Sequence, residues 1–274
     1  MTDSSSTSSQ VPPELETNLP QSARVWNYWL GGKDNFPADR AAGDQFREIF
    51  PEIVDAARAA RGFLARAVRY LAGEAGIRQF LDVGTGIPTA DNTHEVAQRV
   101  APDARIVYVD NDPLVLTHAR TLLTSTPQGA TAYLDADLHE PDKILQAAGQ
   151  TLDFNKPAAL MLLGILGHVG DYDEARSIVK QLLDALPSGS YLALNDGTAI
   201  VNKERVEEAQ RLYNQSGAVP YHPRSPQQIA GFFEGLELLE PGVVSCSRWR
   251  PEPAGPDGGL PAEVDMFGGV GRKP

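Results

Sequence analysis

Apolar residues in the first third of the chain recur at helical spacing. Ala23-Arg24-Val25-Trp26-Asn27-Tyr28-Trp29-Leu30 is aromatic-rich and amphipathic, and it breaks at Gly31-Gly32. Asn35-Phe36-Pro37-Ala38-Asp39-Arg40 opens a second helical stretch, with Pro37 suited to its first turn. Over residues 51–73, Ile53, Val54, Ala57, Phe63, Leu64 and Leu71 fall on one side of a helix, with Arg58, Arg61, Arg66 and Arg69 on the others.

Near residue 79 the period changes. Short apolar runs at 79–84, 105–110, 130–137, 158–163 and 190–196 read as buried strands. Between them, residues 91–100, 113–123, 142–148 and 173–185 read as helices. Strands alternating with helices of this length predict an α/β fold, a parallel sheet covered on both faces. The tail departs from that rhythm: helices at 203–215 and 225–233, the latter capped by Ser225 with Pro226 first, then a strand-like stretch at 243–249. A Pro/Gly loop at 250–261 leads to a last strand at 266–271. Residues 1–20 are polar and expected to be a disordered arm. The predicted division is that arm, a helical segment at 21–75, and an α/β domain at 76–274.

Charge narrows the partners. Asp and Glu total 36 against 24 Lys and Arg among 274 residues, a formal charge of −12. A protein gripping bulk nucleic acid or an anionic membrane through a basic face would show the opposite balance. Cys246 is the single cysteine, so neither an internal disulfide nor a thiolate metal cluster is expected. The start is Ser/Thr-rich without the basic and apolar regions of a secretory signal, and no run is long enough to span a bilayer. The expectation is a cytoplasmic protein.

The chemistry gathers at strand ends. Leu81-Asp82-Val83-Gly84-Thr85-Gly86 places glycines directly after a strand, where the backbone can turn tightly and approach a ligand. Asp110 ends the next strand, in position to accept hydrogen bonds from ribose hydroxyls. Asp137 ends the one after, where a carboxylate and neighbouring backbone N–H suit an adenine edge. Three such sites on successive strands border one crevice, which points to a nucleoside ligand. The turn continues as Ile87-Pro88-Thr89, without the third glycine or basic cluster that a dinucleotide pyrophosphate wants. A sulfonium cofactor needs no such cradle.

These segments, with Leu163-Gly164-Ile165-Leu166-Gly167-His168-Val169, resemble the successive motifs of class I S-adenosylmethionine-dependent methyltransferases. Arg24 through Gly31-Gly32-Lys33-Asp34-Asn35-Phe36, together with Ser225-Pro226-Gln227-Gln228-Ile229 and Leu239-Glu240-Pro241-Gly242, resembles a bacterial group of S-adenosyl methyltransferases of unknown substrate. The resemblance implies a doubly wound, mostly parallel, seven-stranded Rossmann-like sheet under an N-terminal helical lid, with S-adenosylmethionine as cofactor. It implies that Asp82, Gly84, Thr85 and Gly86 lie at the methionine end, Asp110 on the ribose, Asn111 beside the adenine, and Asp137 with Leu138 at the adenine edge. Gly164 and Ile165 would floor the sulfonium. Asn27, Tyr28 and Lys33 would belong to the lid, Lys33 pairing with the cofactor carboxylate. Pro88 departs from the general pattern, which has a third glycine there.

Methyl transfer is an in-line displacement, so positioning can supply most of the catalysis. A base is needed only where the acceptor must lose a proton. His168, after the fourth strand, is the candidate catalytic residue, and Asp196, after the fifth, a second. Tyr221 and His222 could line an acceptor pocket or stiffen a Pro-bounded loop. Asp171, Asp173 and Glu174 read as an acidic helix N-terminus. No spacing suggests a metal site. The expected activity is methyl transfer to a small molecule; a non-catalytic binder of S-adenosylmethionine or S-adenosylhomocysteine and an NAD-dependent oxidoreductase are the alternatives.

Overall fold

The computed structural model describes residues 16–115, 117, 125–252 and 259–274. Five of the apolar runs form parallel strands: β1 (Gln79–Val83), β2 (Arg105–Asp110), β3 (Ala130–Asp135), β4 (Ala159–Leu163) and β5 (Tyr191–Gly197). Runs that are apolar on both faces suit this position, because helices cover both sides of such a sheet. β8 (Met266–Arg272) pairs antiparallel with β5, and these strands run in the order β3-β2-β1-β4-β5-β8. Chain direction across the sheet reverses between β1 and β4, which opens a crevice at their carboxyl ends.

The helices sort by face. α1 (Ser22–Trp29), α2 (Pro37–Ile49), α3 (Ile53–Gly73), α4 (Thr93–Val100) and α7 (Lys203–Tyr213) bury their apolar sides in one core with Phe80, Ile106, Met161 and Ala193 of the sheet. α5 (Pro141–Ala148), α6 (Tyr172–Asp184) and α8 (Pro226–Gly231) bury theirs against Leu81, Val107, Leu160 and Leu192. Alternate residues of each strand thus feed the two cores, the period-two pattern of a strand. The caps follow the sequence: Ser225 Oγ accepts from Gln228 N at 3.2 Å, and Asp171 Oδ1 accepts from Glu174 N at 2.8 Å.

Two expectations change. Among the described residues the sheet has eight strands rather than seven, because two-residue strands β6 (Glu237–Leu238) and β7 (Val244–Ser245) both pair with β8. The strand-like stretch at 243–249 is a strand only over Val244–Ser245 and then turns as a 3-10 helix, Cys246–Arg248. Cys246 and Trp249 are both fully buried there. Arg66 on α3 holds that turn, donating to the carbonyls of Cys246 (2.6 Å) and Trp249 (2.8 Å). The helix expected at 113–123 and the arm at 1–20 lie largely outside the described residues, as does the middle of the 250–261 loop. Among the described residues, no helix is long and apolar enough to cross a membrane.

Candidate functional site

The glycine turn after β1 is left-handed at both glycines, φ +75° at Gly84 and +65° at Gly86. A Cβ on Gly84 would lie 2.5 Å from the Ile165 side chain, so this glycine lets the loops after β1 and β4 close on one another. Gly86 N donates to Asp110 Oδ2 at 2.8 Å, and Asp112 N donates to Asp110 Oδ1 at 2.9 Å. Each carboxylate oxygen keeps acceptor capacity beyond these bonds. Burial pushes the Asp110 carboxyl up to about 6, the backbone N–H groups opposing it. Asp82, at the end of β1, is also raised to about 6 by burial, against a 2.6 Å hydrogen bond from Thr93 Oγ1 and the nearby Arg61.

The tips of β2 and β3 are clasped. Asn111 Nδ2 donates to Asp137 Oδ2 at 3.0 Å, while Asp137 Oδ1 accepts from His139 N at 2.9 Å and lies 2.6 Å from His139 Nδ1. Burial raises the Asp137 carboxyl, but the bonds from His139 and Asn111 outweigh it and hold it below the ordinary value. Behind this clasp Tyr133 stacks on Tyr108, ring centres 5.6 Å apart, and its hydroxyl pairs with Thr85 Oγ1.

These groups border one cavity of about 370 Å³ along the carboxyl ends of β1, β2, β4 and β5. Its walls include Asp82, Gly84, Thr85, Gly86, Asp110 and Asn111 from the turn and β2, and Asp137, Leu138, Gly164, Ile165 and His168 beyond them. From α1, Trp26, Asn27, Trp29 and Leu30 face it. Asn27 is buried and accepts from Asp34 N (3.1 Å) and Asn35 Nδ2 (3.0 Å), pinning the turn that follows α1. A Cβ on Gly32 would meet the Asn27 side chain at 2.3 Å, which accounts for that glycine.

Two expected residues lie elsewhere. Tyr28 points away from the cavity and donates to the exposed Asp44 at 2.7 Å, because its ring packs beside Gly43 of α2. Lys33 is exposed on the turn and does not border the cavity. The cation that does is Arg61 of α3, next to Asp82, donating from Nη2 to the carbonyls of Ala90 (2.8 Å) and Asp91 (3.0 Å). Arg61 is the sole Lys or Arg among the described residues of the wall. The sequence placed it on a face away from the apolar stripe but offered no sign that this face meets the β1 turn.

Arg24 was equally unmarked. It is 2% exposed and grips Asp112 with two bonds, Nε–Oδ2 at 3.1 Å and Nη2–Oδ1 at 2.9 Å. Its Nη1 reaches the Glu16 carbonyl at 2.7 Å, and its guanidinium lies 5.3 Å from the Phe36 ring centre. The bidentate geometry is that of a strong ion pair, and it joins α1 to the loop that carries Asp110.

Beyond β4, His168 Nδ1 lies 3.0 Å from the Pro220 carbonyl, and its ring meets Tyr221 edge-on at 5.1 Å. A carbonyl only accepts, so Nδ1 carries the proton and Nε2 the lone pair of a neutral ring. Burial lowers the His168 pKa and keeps it neutral. Asp196 does not border the cavity: it is fully buried, paired with Arg224 Nη1 at 3.0 Å and bonded to the Tyr221 hydroxyl. That matching removes it as a candidate base. Tyr221 borders the cavity; His222 does not, its backbone N–H donating to Gly167 O at 2.8 Å.

A family model described as S-adenosyl methyltransferase matches residues 8–274 of the chain. A DUF574 family protein from Streptomyces avermitilis has a similar structure, TM-score 0.90 at 48% identity, covering 95% of this chain and 100% of that one. So does a candidate methyltransferase from Thermobifida fusca, TM-score 0.86 at 44% identity, covering 96% and 98%. A SAM-dependent methyltransferase from Anabaena variabilis shares the fold at TM-score 0.50 and 14% identity, covering 95% and 98%. None of the curated proteins matches.

Proposed function

Because the chain belongs to the S-adenosyl methyltransferase family and uses S-adenosylmethionine, we propose that it methylates a small-molecule acceptor, in the cytoplasm, through a nucleoside site centred on Asp110. The observation that carries this reading is the Asp110 carboxylate itself. It borders the cavity, is fixed by two backbone N–H groups, and has acceptor capacity left for a pair of vicinal hydroxyls. Asn111, Asp137 and Leu138 sit at the β2–β3 end, where the base would lie. Asp82, Gly84, Thr85 and Gly86 surround the amino-acid end, and Arg61 replaces Lys33 as the partner for its carboxylate. Gly164 and Ile165 form the floor between them. A dinucleotide fits poorly: its two phosphates would meet one guanidinium already engaged with backbone carbonyls.

When bound, S-adenosylmethionine supplies a methyl on a positive sulfur, which an acceptor lone pair displaces in line to leave S-adenosylhomocysteine. The protein's part is to exclude water, fix the two reactants and hold the proton that a hydroxyl acceptor releases. His168 takes that proton at Nε2, its ring oriented by the Pro220 carbonyl. Residues 21–75 act as a lid over the domain at 76–274, with Asn27 setting the turn behind α1.

Calorimetry tests the reading directly. S-adenosylmethionine and S-adenosylhomocysteine are expected to bind one per chain, and NAD to show no measurable heat. NAD binding without S-adenosylhomocysteine binding would remove the nucleoside assignment and favour an oxidoreductase.

A further inference from the structure

The cavity continues past the proposed cofactor positions into a compartment between α1, α2, α7 and the end of β5. Its walls are mainly apolar, with Trp29 of α1, Phe46 and Phe50 at the end of α2, Ile53 and Leu64 of α3, and Val206 beside Gln210 and Tyr213 of α7. Trp29 Nε1 is bonded to the Gly43 carbonyl at 3.1 Å, so that ring offers the compartment its carbon face. The one carboxylate at this end is Asp265, and it is fully engaged. It accepts from the backbone N–H groups of Ile200 (2.8 Å), Val201 (2.8 Å) and Asn202 (2.9 Å), fixing the start of α7. An ionic acceptor would therefore be stripped of water here without a free counter-charge beside it.

One polar group stands out on the floor. Asn195, near the end of β5, is 1% exposed, borders the cavity, and has a side-chain Nδ2 without a hydrogen-bond partner. That Nδ2 faces the buried Cys246 thiol, which is only a weak acceptor, while the amide oxygen is turned toward Gly164 at the cavity. A buried amide left open costs stability, and natural proteins rarely leave one without a reason. The surroundings make room for it. A Cβ on the β8 partner Gly268 would lie 2.6 Å from the Asn195 Cβ, and one on Gly164 would lie 3.9 Å from its Oδ1. Asn195 thus stands beside the loop proposed to floor the reacting sulfur.

We propose that the methyl acceptor is an uncharged, mainly apolar molecule, held in this compartment and oriented by one neutral polar group hydrogen-bonded to the Asn195 amide. This rests on the methyltransferase reading above and adds the acceptor class to it. Apolar walls supply affinity without direction and the Asn195 amide supplies the direction, since Gln210 of α7, which also borders the cavity, already donates to Asn214 Oδ1. A hydroxyl suits the amide because it can both donate and accept.

The full chain saturated with S-adenosylhomocysteine tests the proposal by fluorescence titration with 2-naphthol, which is neutral, and 2-naphthoate, an anion of similar size. Naphthol is expected to bind one per chain, and naphthoate at least about tenfold more weakly. Asn195→Leu, close in volume but without the amide, is expected to weaken naphthol about tenfold. Val206→Phe, which fills the compartment from the far wall, is expected to weaken it at least as much. S-adenosylhomocysteine affinity, read on each variant by calorimetry, reports that the fold and the cofactor site survive. Naphthoate binding as tightly as naphthol, or naphthol binding unchanged in both variants, overturns the proposal. Absent S-adenosylhomocysteine binding in the unaltered chain instead overturns the reading it rests on.

Discussion

The two ends of the cavity use charge in opposite ways. At the β1–β3 end, Asp110 and Asp82 stand in the wall with carboxyls raised to about 6, each short of enough donors to offset its burial. At the β4–β5 end, burial raises the Asp196 carboxyl too, yet Arg224, the Tyr221 hydroxyl and the Gly167 and Gly197 N–H groups already occupy both its oxygens, and it faces no cavity. An unmatched buried carboxylate is a place for a ligand to donate; a matched one is masonry. A strand-end aspartate alone does not separate the two, but register does: Val109 stands level with Leu194, so Asp196 lies one residue further along its strand than Asp110 and on the opposite face of the sheet.

The contrast predicts where each substitution is felt. The largest effect belongs to the matched pair. Arg224→Met strips Asp196 of its cation and is expected to cost about 3–5 kcal/mol of folding stability in urea titrations. A loss under about 1 kcal/mol would mean the pair is not structural.

Asp110→Ala is expected to do the reverse. Stability changes little, while S-adenosylhomocysteine affinity falls by about 1–3 kcal/mol, read by calorimetry. The same group sets a pH limb. Donation from ribose hydroxyls favours the ionised carboxylate, so the bound-state pKa lies below the free value of about 6. Affinity is therefore full above that value and falls as pH drops through it, by up to about tenfold per unit. The Asp110→Ala variant should lose this limb; an unchanged limb would assign it to Asp82, which is raised to a similar value.

The smallest effects divide Arg61 from Lys33. Arg61→Ala is expected to weaken S-adenosylhomocysteine by about 1 kcal/mol, a modest figure because the guanidinium already donates to the carbonyls of Ala90 and Asp91. It should leave 5′-methylthioadenosine, which has no carboxylate, unaffected. Lys33→Ala is expected to move either ligand by less than about 0.5 kcal/mol.

The sheet was largely legible before the structure, because runs such as Phe80-Leu81 and Leu160-Met161-Leu162 are apolar on both faces and end in turn residues. The acidic end of the cavity was legible too: Asp110 ends β2, and Asp137, expected to end the next strand, lies two residues past β3, which stops at Asp135, and a parallel sheet brings such positions together. The first helix was read less well. α1 carries aromatic residues on opposite faces, so spacing could not tell that Trp26 and Trp29 face the cavity while Tyr28 faces Asp44. Arg24 and Asp112 are 88 residues apart, and neither belongs to a local pattern. β6 and β7 are two residues each and exist only because β8 is there to receive them.

The Arg24–Asp112 pair carries one more consequence. Asp112 donates its N–H to Asp110 and gives its carboxylate to Arg24, so a single residue touches both the proposed ribose site and the docked first helix. Two events that share a residue share free energy, and the sharing is reciprocal. Whatever tightens Asp110 around a ligand tightens α1 by the same amount. Backbone amides of α1, far from any nucleoside atom, should then exchange with deuterium more slowly once the site is filled.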